Sequence, residues 1–334
     1  LGVTVKPILA TSAILTVLAA PAFADLSLNM KADAGLVGGE DFFLYLSDGS
    51  LFVPDGDTHL YTEINAQAVG RGETDNGLSF GASVDLDVLN NSDGTIDDAR
   101  IWVSGRFGTL GIGDFDGAFD WAMREAHLGL TIDDTEKHAG WSGNSGLDGT
   151  YNGTILRYVY SGNGFAVATS LELDEYGNDP VIGIGGRYTI NHNAGDVTFG
   201  VGYQKGDGPF DSDDTQEIWG VSVTAEFYNG FEAVLNYSRY DYDDDFTGTF
   251  NGDWKFEHIG LAVGYTIDDL TVSANWGQID QSGTYSWRNN TFEGYSLVAN
   301  YDLGGGAEVR AGYAHGSGDG ENYDHWSLGM SFSF

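Results

Sequence analysis

Strict alternation of apolar and polar residues governs most of this chain, and a period of two is the signature of the β-strand. Leu78, Phe80, Ala82, Val84, Leu86 and Val88 are apolar, while Ser79, Gly81, Ser83, Asp85 and Asp87 between them are not. The same rhythm runs through residues 26–34, 60–68 and 99–103, then 165–171, 182–190, 197–203, 219–227 and 231–237. It continues over 259–265, 270–276, 295–301, 307–313 and 326–334, and two shorter runs, 110–114 and 155–160, bring the expected strands to sixteen. No stretch carries a helical period of convincing length. Successive side chains of a strand point to opposite faces, so each segment offers one apolar and one polar face.

The connections alternate in length. Short, turn-rich ones fall at 71–76, 107–109, 161–164, 191–196, 228–230, 266–269 and 302–306, and longer, Asp-rich ones lie between them. Short on one rim and long on the other is the pattern of an up-and-down barrel in an outer membrane. Pro54, Pro180 and Pro209 all fall in long connections or at a strand edge, where a missing N–H is tolerated.

A soluble sandwich would alternate too, and three features favour the membrane. The apolar faces carry aromatics near strand ends: Tyr158, Tyr160, Tyr188, Tyr203, Phe227, Tyr237, Tyr265, Tyr301 and Tyr313, as a girdle at the headgroups requires. The polar faces carry ionic groups in mid-strand, among them Asp85, Asp87, Arg157, Arg187 and Arg310, which a water-filled lumen accepts. Sixteen strands also exceed what one sandwich uses, and an open sheet of that size would leave unpaired edges that hydrocarbon cannot hydrate. The expected fold is therefore all-β: a transmembrane up-and-down antiparallel β-barrel of sixteen strands.

Composition narrows the function. Fifty acidic against 14 basic residues give a formal net charge of −36, which disfavours nucleic-acid binding. The absence of cysteine excludes disulfides, thiolate metal sites and a cysteine nucleophile. Residues 1–24 read as a secretory signal: Lys6 supplies the positive start, 8–20 an apolar stretch, and Ala22-Phe23-Ala24 an A-x-A cleavage site. That leaves 25–334 as one barrel, exported through the periplasm to the outer membrane of a Gram-negative bacterium.

Four segments carry a family resemblance. They are Thr74-Asp-Asn-Gly-Leu-Ser-Phe-Gly-Ala-Ser83, Ala99-Arg-Ile-Trp-Val-Ser-Gly-Arg-Phe-Gly-Thr-Leu-Gly-Ile-Gly-Asp114, Tyr301-Asp-Leu-Gly-Gly-Gly306 and Leu328-Gly-Met-Ser-Phe-Ser-Phe334. Through them the chain resembles the general porins of Gram-negative bacteria, most closely the sixteen-stranded alphaproteobacterial porins of the Rhodobacter type. The resemblance implies a homotrimer with a pore in each protomer and a long third loop folded into the lumen. It also implies that Trp326, Leu328, Met330, Phe332 and Phe334, on one face of the last strand, form the signal read by the barrel assembly machinery.

The longest connection, from about Asp114 to Gly153, begins where that family starts its constriction loop. A loop of some forty residues is usually functional, although a solvated surface loop is the plainer reading. Its candidate constriction acids are Asp114, Asp116, Asp120, Glu125, Asp133, Asp134 and Glu136, beside Arg124 and Lys137. Strand phase places the bases Lys31, Arg100, Arg157, Arg187 and Arg310 on the polar face of the wall, with Arg106 near a short turn. Acids facing bases across an aqueous gap set up a transverse field that polar solutes tolerate better than apolar ones. Each Arg could equally be held in a local ion pair. Glu63, Asp85, Asp87, Glu172, Glu226 and Glu308 share the polar face, and with the net charge they point to a cation-preferring pore.

Other signals weigh less. Gly77-Leu-Ser-Phe-Gly81 matches the G-x-S-x-G nucleophile pattern but lies within a strand instead of a strand–turn–helix elbow, so no enzyme is expected. The seven histidines have no metal-ligand spacing, and no metal site or cofactor is expected. The acidic runs 93–98, 211–214 and 241–245 read as solvated loop charge, or as Ca²⁺ or Mg²⁺ bridges between loops or to lipopolysaccharide phosphates. The expected function is passive diffusion of small hydrophilic solutes and ions. The alternatives are a solute-specific channel, for which Trp102 and Trp121 are the candidate lumen aromatics, and a structural or adhesive barrel with a closed lumen.

Overall fold

The computed structural model describes residues 24–39, 58–89, 96–133, 146–174, 177–207, 214–243, 252–284, 289–318 and 320–334. The first 23 positions of the expected signal lie outside the described residues, as do Asp134 and Glu136. The strands are β1 (Ala24–Gly39), β2 (His59–Glu73), β3 (Ser79–Leu89), β4 (Ile96–Gly105) and β5 (Gly108–Gly113). A five-residue helix, α1 (Ala118–Ala122), precedes β6 (Ile155–Gly162), β7 (Phe165–Glu172), β8 (Val181–His192) and β9 (Gly195–Asp207). The series closes with β10 (Thr215–Phe227), β11 (Phe231–Asp243), β12 (Trp254–Ile267), β13 (Leu270–Gly283), β14 (Asn290–Gly304), β15 (Ala307–Gly318) and β16 (Glu321–Ser333).

All sixteen strands join one closed antiparallel barrel in which each pairs with its neighbours in sequence, and β1 pairs with β16. At that seam Lys31 lies opposite Ser333 and Gly39 opposite His325. The Met30 and Phe334 backbones exchange hydrogen bonds of 3.2 and 2.9 Å, so the last residue is tied into the wall. Closure leaves no row of unpaired N–H and C=O groups, the condition for a sheet to sit in hydrocarbon.

The alternation separates the faces as the sequence requires. On β12, Ile259, Leu261, Val263 and Tyr265 are exposed, while His258, Gly260, Ala262 and Gly264 are buried. Leu26, Leu28, Phe80, Ile101, Ile182, Ile184, Phe199, Val201, Leu235, Leu297 and Leu328 continue the exposed apolar surface around the ring. A continuous belt of that kind marks contact with lipid. The aromatics Tyr160, Tyr188, Phe227, Tyr265, Tyr301 and Tyr313 belong to the same face and are all exposed.

The strands extend beyond the alternating runs that revealed them, because main-chain pairing continues past the last apolar residue. The run at 60–68 grows to His59–Glu73, and that at 326–334 begins at Glu321. β5, β6 and β7 are the short ones, at 6, 8 and 8 residues. At about 3.3 Å per residue they make the lowest part of the wall. The long connection leaves from that point.

Candidate functional site

Residues 114–133 lie along the polar face of the wall, and glycines make room for them. A Cβ on Gly185 would stand 2.0 Å from the Ala118 carbonyl oxygen, and one on Gly200 would stand 2.3 Å from that of Ala122. No other residue allows backbone to approach a strand so closely. α1 fits against β7, β8, β9 and β10 at this seat, with Phe119 and Met123 in an apolar cluster with Leu147, Val181 and Ile218.

Most of the segment has no regular secondary structure, so its backbone polar groups need other partners. Wall side chains supply them. Ser170 Oγ accepts from the Ala118 N–H at 2.8 Å, and Ser222 Oγ from the Arg124 N–H at 3.0 Å. Asn275 accepts from the Leu128 N–H at 2.8 Å and donates to the Leu128 carbonyl at 3.1 Å. Asn300 clamps Leu130 in the same manner, at 3.0 and 2.6 Å. Asn236 donates to the Arg124 carbonyl at 3.2 Å, and Arg310 Nη1 to that of Thr131 at 3.2 Å. A side-chain amide offers both N–H donors and a carbonyl acceptor, so Asn275 and Asn300 can meet the N–H and C=O of one residue as a neighbouring strand would.

The returning limb is held similarly. Asp148 accepts from the Gly117 N–H at 2.5 Å and from Gln204 Nε2 at 2.6 Å, while Gln204 Oε1 accepts from the Leu147 N–H at 2.8 Å. Burial raises the Asp148 carboxyl above its ordinary range, against the lowering effect of its bonds from Gln204 and Gly117. Burial also pushes the Tyr151 phenol up to about 12. Glu172 Oε1 accepts from the Tyr151 and Gly153 N–H groups at 3.2 and 2.7 Å.

The expected charges divide into two groups. Around the start of the segment, Arg100 donates to the Asp114 carbonyl, with its guanidinium 3.9 Å from the Asp114 carboxylate. Arg157 donates to the Asp116 carbonyl at 2.7 Å and stands 3.6 Å from its carboxylate. Arg157 also lies 4.9 Å from the Phe115 ring centroid, Arg100 5.9 Å from the same ring, and Arg187 4.7 Å from that of Trp121. Cations over ring faces are attracted by the ring quadrupole. The charges acting on Arg187 include Arg124, Arg157, Asp116 and Asp120. At the far end, buried Asp133 pairs with His325 at 2.7 Å, and buried Arg310 with Glu308 at 2.6 Å and Asp33 at 3.7 Å. Lys31 pairs with Asp33 at 2.9 Å, and Glu125 with His127 at 2.8 Å. Arg106 lies in the exposed turn between β4 and β5.

Trp102 shares the polar face with Gly81 and Gly111, directly opposite it on the flanking strands. Trp326, Leu328, Met330, Phe332 and Phe334 share the outward face of β16. Sequence reasoning found the charged residues but missed the clamps Ser170, Gln204, Ser222, Asn275 and Asn300, together with the glycine seat. Their signal is parity: all fall on polar-face positions of their strands.

A family model described as Gram-negative porin matches residues 10–321. A porin of Rhodobacter capsulatus is 28% identical over 284 residues, covering 79% of this chain and 89% of that protein. Among solved structures, a porin refined at 1.8 Å resolution superposes with a TM-score of 0.67 at 23% identity, covering 93% of this chain and 100% of that one. In-vitro folded OmpT of Vibrio cholerae, described in its trimer form, gives 0.67 at 13% identity over 93% and 99% of the two chains.

Proposed function

Since this chain belongs to the Gram-negative porin family, we propose that it forms a water-filled outer-membrane pore through which small hydrophilic solutes and ions diffuse down their gradients. Porins are channels and not enzymes, and the barrel is an outer-membrane protein. The observation that carries the reading is the closed ring of sixteen strands with its apolar face exposed and its polar face lined by Ser, Asn, Gln, Asp and Arg.

The segment 114–133 is the element that narrows the lumen. Its hydrogen bonds to β4, β6, β7, β10, β11 and β13–β16 leave a solute to pass on its other side, along the polar faces of β2 and β3. Phe115 and Trp121 keep the guanidiniums of Arg100, Arg157 and Arg187 ordered, and Asp114, Asp116 and Asp120 lie beside them. Fixed charges of both signs at a narrow, low-dielectric opening orient polar solutes and hold back apolar ones. The net charge of −36 supports a preference for cations.

Residues 1–24 direct export, Trp326 to Phe334 on β16 engage the assembly machinery, and the mature protein is a homotrimer in lipid and lipopolysaccharide. The trimer form of the similar OmpT supports the last point. Diffusion needs no cofactor; divalent cations at the acidic runs would serve the contact with lipopolysaccharide phosphates.

Liposome swelling tests the function. Vesicles holding the purified protein should admit arabinose and glucose quickly, and larger oligosaccharides at rates that fall steadily with size. Equal impermeability to all of them would reject a diffusion pore.

A further inference from the structure

At the rim formed by the short turns, a cavity of about 410 Å³ opens on the polar face of β12–β16. Asp268, Asp269, Asp302 and Glu308 line it with a single base, Arg310, so the lining has a net charge of −3. Arg310 is already committed to Glu308 at 2.6 Å and Asp33 at 3.7 Å. Among the described residues no base lies within ion-pair distance of Asp268, Asp269 or Asp302.

Two further observations define what could bind. Ser331 is 2% exposed, lines the same cavity, and its hydroxyl has no hydrogen-bond partner. A buried hydroxyl left in that state costs free energy, which a ligand atom would recover. Second, no group of three or more His, Asp or Glu among the described residues is close enough to hold a metal ion. The carboxylates share one cavity without converging on one point, so a compact cation cannot satisfy them together.

We propose that this cavity is a binding site for an extended organic cation carrying two or more ammonium groups, held at the short-turn mouth of the pore. The ammonium groups meet the separated carboxylates, and polar atoms of the frame meet hydroxyls such as Ser331. The site extends the porin reading, since it places a cation store at one mouth of the channel.

Titration calorimetry on the folded protein in detergent, with 1,4-diaminobutane as probe, reads the site whether or not the protein conducts. Its outcome is thus separable from that of liposome swelling. Saturable binding is expected, weakened about tenfold or more in Asp268→Asn/Asp269→Asn/Asp302→Asn and unchanged in Asp196→Asn, a carboxylate at the start of β9 in another hairpin. Asp302→Asn alone should give an intermediate loss, which serves if the triple variant does not fold. Butylamine, Mg²⁺ and 1,4-butanediol should bind much more weakly than the diamine. No saturable binding to the native protein, undiminished binding in the variants, or equal binding of Mg²⁺ or butylamine would overturn the proposal.

Discussion

Gly185 and Gly200 show how much of the site depends on the absence of a side chain. Each lets a carbonyl of α1 come closer than any Cβ would allow. Gly185→Leu or Gly200→Leu should unseat the segment while leaving the barrel paired, at a cost of about 1–3 kcal/mol for overpacking. Limited proteolysis within 114–133 checks this: the variants should be cut and the native protein should not. Asp148 makes a prediction in pH. Its folded carboxyl is raised, so its contribution favours the folded state below the ordinary carboxylate value and is lost as pH climbs through the raised one. Asp148→Asn keeps an acceptor for the Gly117 N–H without the buried charge. Its thermal transition should exceed the native one most at neutral pH, and the difference should shrink on acidification. The charged residues were legible because Arg157, Arg187 and Arg310 interrupt alternating runs at polar positions. Their partners were not: the pairing of Asp133 with His325 joins positions 192 apart, and no local spacing encodes it.

At the scale of the element, strand count and phase were readable, since each side of an alternating run must face lipid or lumen. Strand ends were not, because pairing beyond the last apolar residue is decided by the neighbouring strand. α1 escaped for a related reason. A five-residue helix is too short for a period, and it is held by the wall glycines and by Ser170. The two faces of one strand should respond oppositely to charge. Leu261→Arg, in the middle of the exposed face of β12, should destabilise by about 2–4 kcal/mol, and Tyr265→Arg near the rim by about 1 kcal/mol or less. Urea titration in lipid vesicles measures both. Just past the end of β16, deletion of Phe334 removes the final pair with Met30 and an exposed aromatic side chain. The fraction of heat-modifiable, folded protein in the outer membrane should fall sharply.

For the whole molecule, closure is the property from which the others follow. A ring that joins β1 to β16 leaves no edge, so its outer face can be apolar and its inner face polar without penalty. The inner charges then belong to a water-filled path. The summed charge of −36 predicts that reversal potentials across a KCl gradient will favour K⁺ over Cl⁻. The most direct test of the central claim is single-channel recording of the purified protein in planar bilayers. A wet lumen predicts discrete, ohmic current steps whose conductance falls when neutral polymers small enough to enter are added. Bilayers that contain folded, inserted barrels yet pass no current would contradict it.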